Sequence, residues 1–289
     1  MSTSEVMALD QVVDTARYPL TRLDSPDGQD VVARARRELA ADGCTVLRNF
    51  IRPALHDILR RECSAIAPRA HVDVATVNVY NTAVDAELPE GHPGRISFDR
   101  GNAFVPRDRI PATALIGLLY SDRAFQRFVA RCFDLPELHE LADPLAGLVL
   151  NVVEPGMEHP WHFDTNEFTV SMLTQEAQAG GVFEYCPNIR SAEDENFGDV
   201  LDVLQGRGER LTRRLVLRPG DLQLFKGRFS LHRVSPVEGR EARHSAIFAY
   251  SERPGVIGSV ERTRQLFGRV LSEHLSAEGR AVRGDHLLD

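Results

Sequence analysis

From about residue 145 the spacing of apolar residues changes. LAGLVLNVV (145–153), FTVSMLTQ (168–175), GVFEYC (181–186), RRLVLR (213–218), DLQLFKG (221–227), LHRVSPV (231–237) and RHSAIFAYSE (243–252) are short β-prone runs. Turn-formers such as PG, GG and EG separate most of them. Many short strands with such turns close into a sandwich or a barrel. SAEDENFGDVLDVLQG (191–206) breaks the series and reads as an insertion with a short amphipathic helix.

Before residue 145 the pattern is helical. DVVARARRELAADG (30–43) carries apolar residues at helical spacing and ends in Gly43, a C-cap residue. CTVLRNF (44–50) reads as a strand, and PALHDILRRECSAI (53–66) as a helix with proline in its first turn. Residues 70–110 read as irregular, 114–133 as one or two helices, and 260–275 as a final helix. The expected organisation is a loose polar arm over residues 1–28 and a single domain over 29–289. The fold class is mainly β with flanking α, and the β core spans about residues 145–252.

Several function classes are excluded by bulk properties. The net charge is −8 with no dense Lys/Arg block, so counterion release offers no affinity for nucleic acid. The longest apolar runs, 114–120 and 145–150, are too short to span a bilayer. The first twenty residues lack a basic stretch followed by an apolar core, so no signal peptide is expected. Cys44, Cys63, Cys132 and Cys186 are scattered without CxxC spacing, which fits a reducing cytoplasm rather than a disulfide framework.

Chemistry concentrates in HPWHFDTNEF (159–168). His162 and Asp164 are two apart, and on a strand such residues share a face. A third ligand from a neighbouring strand would complete a metal site, and His232 in GRFSLHRVSPV is the best placed. Two histidines and one carboxylate leave three positions of an octahedral ion open, as in non-heme Fe(II) oxygenases. Zinc can use the same ligands with water in the fourth position. Arg243 and Ser245, on one face of a later strand, weigh toward iron. A guanidinium fork and a neighbouring hydroxyl suit the distal carboxylate of 2-oxoglutarate, and a zinc hydrolase has no need of them.

HFD, then His232, then RHS, resembles the HxD…H…RxS signature of Fe(II)/2-oxoglutarate-dependent oxygenases. GGVFEY (180–185) and PGDLQLFKGRFSLHRVSPV (219–237) are similar to matching segments of that superfamily. The resemblance implies a double-stranded β-helix, or jelly-roll, core. It implies His162, Asp164 and His232 as catalytic iron ligands, Arg243 and Ser245 as the 2-oxoglutarate clamp, and Asn151 as a further cosubstrate contact. Within the superfamily, NVVEPG, HPWHFD and GGVFEYCPNIRS resemble the free-amino-acid halogenases of the BesD/HalD type and their hydroxylating relatives. The halogenases have glycine where this chain keeps Asp164, so the resemblance implies a dioxygenase that hydroxylates, with Fe(II), 2-oxoglutarate and O2. It also places His159 near the substrate, Arg95 or Arg100 on an amino acid carboxylate, and Thr165 where lysine-chlorinating members carry an acid. Asp143 is a further candidate for a substrate ammonium.

Other residues have plainer roles. Trp161 is expected in the core, His244 as structural, and residues 186–212 as a lid from which Arg190 reaches the substrate. The leading expectation is hydroxylation of a small polar molecule, a free amino acid. The alternatives are a tailoring oxygenase for a larger natural product or a carrier-bound amino acid, and a cupin-like metal-binding or sensor protein without turnover.

Overall fold

The computed structural model describes residues 7–279 and 287–288, and residue 102 by its backbone alone. Helices start and stop where local chemistry tells them to. In chain order they are α1 (Leu9–Val12), α2 (Pro26–Asp42), α3 (His56–Ile66), α4 (Leu115–Ser121), α5 (Arg123–Cys132), α6 (Phe197–Leu204), α7 (Val260–Phe267) and α8 (Ser272–Ala277). Ser25 Oγ caps α2 by accepting from Gly28 N, Pro26 occupies its first turn, and Gly43 ends it at φ 64°. The expected final helix is two, because Gly268 at φ 68° caps α7.

Among the described residues fifteen strands form four sheets. They are β1 (Cys44–Leu47), β2 (His71–Val77), β3 (Phe98–Val105), β4 (His139–Glu140), β5 (Leu148–Val153), β6 (His159–His162), β7 (Thr169–Gln175), β8 (Ala179–Gly180), β9 (Phe183–Cys186), β10 (Arg213–Leu215), β11 (Leu222–Phe225), β12 (Leu231–Val234), β13 (Val237–Glu238), β14 (Arg243–Phe248) and β15 (Tyr250–Ser251). A seven-stranded sheet has the order β1-β11-β7-β14-β5-β3-β2, and a four-stranded sheet the order β10-β9-β12-β6. Together they are the jelly-roll core, with the pairs β13-β8 and β15-β4 at its margins.

Strand alternation divides the large sheet into two chemistries. One face carries Leu148, Leu150, Val152, Val170, Met172, Leu222, Leu224, Ala246 and Phe248, all packed with Leu39, Leu59, Phe125 and Phe128 from the helices. Each such side chain contributes about 1.5–3 kcal/mol by leaving water. The opposite face presents Asn151, Ser171, Arg243 and Ser245 from β5, β7 and β14. Polar groups can stand there only because that face lines a site rather than the helical core.

Three expectations are corrected. Residues 70–110 contain β2 and β3, which pair along the whole of β2 from His71–Phe104 to Val77–Phe98. The turn-rich stretch between them hid the pairing, since the two strands are far apart in sequence. The arm is not loose over its described part: Val12, Val13, Tyr18 and Leu20 are buried in the main core, and the Tyr18 hydroxyl donates to Arg48 O at 2.8 Å. The stretch is polar on average, yet these four side chains are each at most 1% exposed. The β core likewise extends beyond residues 145–252, recruiting β1, β2 and β3 into the large sheet.

His244 lies on the helix side of β14, buried, with Nδ1 unpartnered. Burial, then the adjacent Arg243, pulls its imidazole from 6.5 down to about 4. The unfolded chain therefore takes up that proton first, and the stability present above pH 6.5 is lost as pH falls toward 4. Between pH 7 and pH 4.5 the wild type should lose roughly 1–2 kcal/mol more than His244→Gln. Denaturant midpoints at the two pH values measure this, and parallel losses would remove His244 from the account.

Candidate active site

His162 ends β6 and His232 lies on β12, directly opposite each other in antiparallel register. Their ring centroids are 4.1 Å apart. Each ring is fixed by its own strand: His162 Nδ1 donates to Pro160 O at 2.8 Å and His232 Nδ1 to Ser230 O at 2.9 Å. Both Nε2 atoms, the ones left to accept a metal, point inward. Asp164 sits just past the end of β6, held by its N–H to Gly227 O at 3.1 Å. Its Oδ1 lies 3.6 Å from His162 Nε2 and 3.4 Å from His232 Nε2. Thr169 Oγ1 donates to the other oxygen, Oδ2, at 2.6 Å and sets the carboxylate plane. The three ligand atoms lie within 4.8 Å of one another.

Electrostatics favour the ligand forms. Burial, then His232, pulls the His162 imidazole down to about 4, so it is neutral at neutral pH. Burial alone would raise the Asp164 carboxyl, but His232 and His162 outweigh it and hold the group well below the carboxylate range. Two imidazoles and one carboxylate suit a divalent metal ion.

Beside the triad lies a second feature. Arg243 is buried, its Nη1 donates to Ser245 Oγ at 2.6 Å, and no carboxylate pairs with it among the described residues. Burial lowers its pKa only to about 10, so it stays charged at neutral pH. Asn151 is the register partner of Ser245, and its buried Nδ2 has no hydrogen-bond partner. A buried unpaired cation next to an unsatisfied N–H is costly unless an anion fills the space. These groups fit a ligand carboxylate.

The substrate candidates divide. His159 and His162 lie on one face although three residues apart, because β6 advances three residues from His159 to His162 while β12 advances two between their partners Val234 and His232. This bulge stacks the two rings at 4.0 Å and 7°. Burial, then His162 and Arg100, holds His159 well below its ordinary value. Arg100 on β3 is buried, and its Nη1 donates to Asn81 Oδ1 at 2.6 Å. Asn81 Nδ2 in turn donates to Phe163 O at 2.7 Å, tying Arg100 to the residue before Asp164. Arg95 is exposed, its Nη1 bonded to Leu88 O at 3.2 Å, and Thr165 is exposed as well. Asp143 is not available to a substrate. Its buried carboxylate already accepts from Leu145 N, Ala146 N and His274 Nε2 at Oδ1 and from Gly258 N at Oδ2.

Trp161 packs with Val79, Tyr80 and Phe163 under the Arg233 guanidinium, 4.8 Å from the ring centroid. Arg190 does not reach into the site from a lid. It is buried, donates to Arg228 O, Glu195 Oε2 and Leu288 O, and lies 3.8 Å from the Phe163 ring centroid. Sequence reasoning missed Thr169, Asn81 and Gly227, whose roles depend on contacts between distant strands. A Cβ on Gly227 would stand 1.9 Å from Asp164 Oδ2.

A jelly-roll with this donor set and an unpaired arginine behind it defines an Fe(II)/2-oxoglutarate-dependent oxygenase, an enzyme using Fe(II) with 2-oxoglutarate and O2 as cosubstrates. The family model described as halogenase D matches residues 27–262, and the chain belongs to that family. A search of curated proteins found no match. Among solved structures, the chain is similar to the carbocyclase SnoK from nogalamycin biosynthesis, with 15% identity and a TM-score of 0.52 over 83% of this chain and 92% of that one. AviO1 from Streptomyces viridochromogenes Tue57 gives 16% identity and 0.51, covering 78% and 96%. A prolyl hydroxylase from Trichoplax adhaerens, in complex with a hypoxia inducible factor fragment, gives 14% and 0.51, covering 78% and 90%. At such identities the likeness is one of fold. Among the described residues no helix is long and apolar enough to cross a membrane.

Gly227→Ala should displace the Asp164 carboxylate while leaving the fold intact. Fe(II) or Mn(II) affinity, read by anaerobic titration, should fall by about 10-fold or more, the scale for disturbing the groups that orient a ligand. Wild-type affinity in this variant would show that the Gly227 contact is dispensable.

Proposed function

We propose that the enzyme hydroxylates an unactivated C–H of a small polar substrate, a free amino acid, in step with conversion of 2-oxoglutarate to succinate and CO2. One observation carries the choice of hydroxylation: a carboxylate, Asp164, occupies the third metal-facing position within 3.6 Å of both histidines. A glycine there would leave room for a halide, and Asp164 fills that room. In this reading His162, Asp164 and His232 hold Fe(II). Bound iron supplies the oxidising chemistry, in which one atom of O2 enters succinate and the other the product alcohol.

The chain's residues bind and orient. Arg243 and Ser245 grip the distal carboxylate of 2-oxoglutarate, and Asn151 Nδ2 gains in that ligand the acceptor it lacks in the protein. Arg100, rather than Arg95, holds the substrate carboxylate, since it is buried beside the metal ligands while Arg95 faces solvent. His159, neutral and stacked on His162, is an uncharged hydrogen-bonding wall for the same molecule. The Phe183 and Phe225 rings against His232 keep water from the site's inner side. Four buried, unpaired cysteines favour a reducing compartment, the cytoplasm, as the working location.

Turnover in chloride buffer under 18O2, with free L-amino acids and products read by mass, should give an alcohol carrying one labelled oxygen. A chlorinated main product would overturn the hydroxylase reading, and turnover confined to carrier-bound or large substrates would overturn the amino acid reading. Arg243→Leu should weaken 2-oxoglutarate binding by roughly 2–5 kcal/mol, the cost of unpairing a desolvated charge. His232→Ala should abolish tight Fe(II) binding, and an unchanged metal titration would refute the ligand set.

A further inference from the structure

The two histidines of the metal site are held by a strand ladder, but Asp164 is not. β6 ends at His162, so Asp164 stands beyond the last paired residue and its pose depends on the turn at residues 163–165. That turn is gripped from behind by two arginines. Phe163 faces away from the metal ligands, into the cluster with Trp161 and Tyr80. The Arg190 guanidinium lies on its ring, Cζ 3.8 Å from the centroid. On the other flank Arg228 Nη1 donates to Thr165 O at 3.4 Å. The arginines are joined, because Arg190 Nε donates to Arg228 O at 2.7 Å and Arg190 N to Phe229 O at 3.2 Å. Gly227, just before Arg228, accepts from Asp164 N at 3.1 Å. One buried guanidinium thus touches the segment that carries Asp164 and is tied to the segment on which Asp164 rests.

Arg190 is in turn fixed by a segment far from it in sequence. Its Nη1 donates to Glu195 Oε2 at 2.8 Å and to Leu288 O at 3.1 Å. Glu195 uses its other oxygen, Oε1, to accept from Leu288 N at 2.6 Å. The buried ion pair therefore takes both backbone polar groups of Leu288, and Leu287 beside it is buried as well. Main-chain hydrogen bonds of this kind dock an extended segment whatever its side chains are. Arg190 has no bond to spare, since its buried Nη2 already lacks a partner. Without the Leu288 carbonyl a further donor loses its acceptor, and a buried guanidinium in that state does not keep its place.

We infer that Arg190 is a positioning residue for Asp164, and that docking of Leu288 on Arg190 and Glu195 completes it. This rests on the reading of His162, Asp164 and His232 as metal ligands and is independent of the substrate. The contacts run from Leu288 to Arg190, from Arg190 to Phe163 and Arg228, and from these to the turn that holds Asp164. Loosening Arg190 frees the carboxylate, while the β6–β12 ladder keeps the two imidazoles opposed. The metal then loses one donor of three without loss of the fold.

The test reads metal binding and local opening rather than turnover. Co(II) is titrated into the full-length apoprotein without oxygen and followed by its visible absorption. Amide exchange is measured at Phe163 and Asp164 in the metal-free protein, with the amides of β14 as the control for global opening. Arg190→Met keeps an apolar stem against Phe163 and removes every side-chain donor. It should weaken Co(II) binding by about 10-fold or more and speed exchange at Phe163 and Asp164 but not in β14. Leu288→Pro removes the N–H that Glu195 accepts and leaves the rest of the chain as it is, and it should act in the same direction by a smaller factor. In an Asp164→Ala background neither change should cost further Co(II) affinity, because the carboxylate being positioned is gone. An equal loss with and without Asp164 makes Arg190 a general support of the fold and overturns the inference. Wild-type Co(II) affinity in Arg190→Met or in Leu288→Pro overturns it too. If Arg190→Met does not fold, Leu288→Pro and its pairing with Asp164→Ala decide the matter alone. If the wild type binds no Co(II), the ligand reading fails and the inference falls with it.

Discussion

His162 and His232 face each other across β6 and β12, and the rest of the site is arranged around that register. Because the strands are antiparallel and hydrogen-bonded, the two imidazoles cannot drift apart without breaking the ladder. Each strand also supplies the carbonyl that fixes its histidine's tautomer, through Pro160 and Ser230. Asp164 adds the third donor only because Gly227, in the turn before β12, has no side chain to exclude it. A slip of one residue would turn His232 away from His162 and dismantle the metal site.

Charge organises the surroundings. Arg243 and Arg100 are buried near the site without carboxylate partners among the described residues, although the chain as a whole is acidic. Elsewhere arginines are paired: Arg214 and Arg233 bracket Glu184, and Arg190 meets Glu195. A protein interior tolerates an unpaired guanidinium poorly. Its persistence at one place and pairing at others sets the surroundings of the site apart from the rest of the chain.

The helices have an indirect part in this chemistry. They cover the apolar face of the large sheet and so leave its other face free to be polar. The later helices differ: α6 packs with Trp161 and Phe163, and α7 packs on the site side through Phe267 and Phe104. Asp143 illustrates how a chemically suggestive residue is absorbed by architecture. It spends its carboxylate on three backbone N–H groups and His274, and in doing so positions α7.

From the residues alone came a sandwich- or barrel-like β core, which the family resemblance narrowed to a jelly-roll, together with the grouping of His162, Asp164 and His232 and the shared strand face of Arg243 and Ser245. These were legible because strand periodicity and metal-ligand chemistry are local: i and i+2 share a face wherever a strand forms. The pairing of β2 with β3, the burial of residues 12–20, the roles of Thr169, Asn81 and Gly227, and the bulge stacking His159 on His162 were not legible. Each depends on which distant segments become neighbours, and side-chain type carries no record of that. The same limit applied to choosing between Arg95 and Arg100, five residues apart and alike in sequence. Only the tertiary structure put one in solvent and the other beside the metal ligands, because β3 pairs with β2 and β5 and turns Arg100 inward.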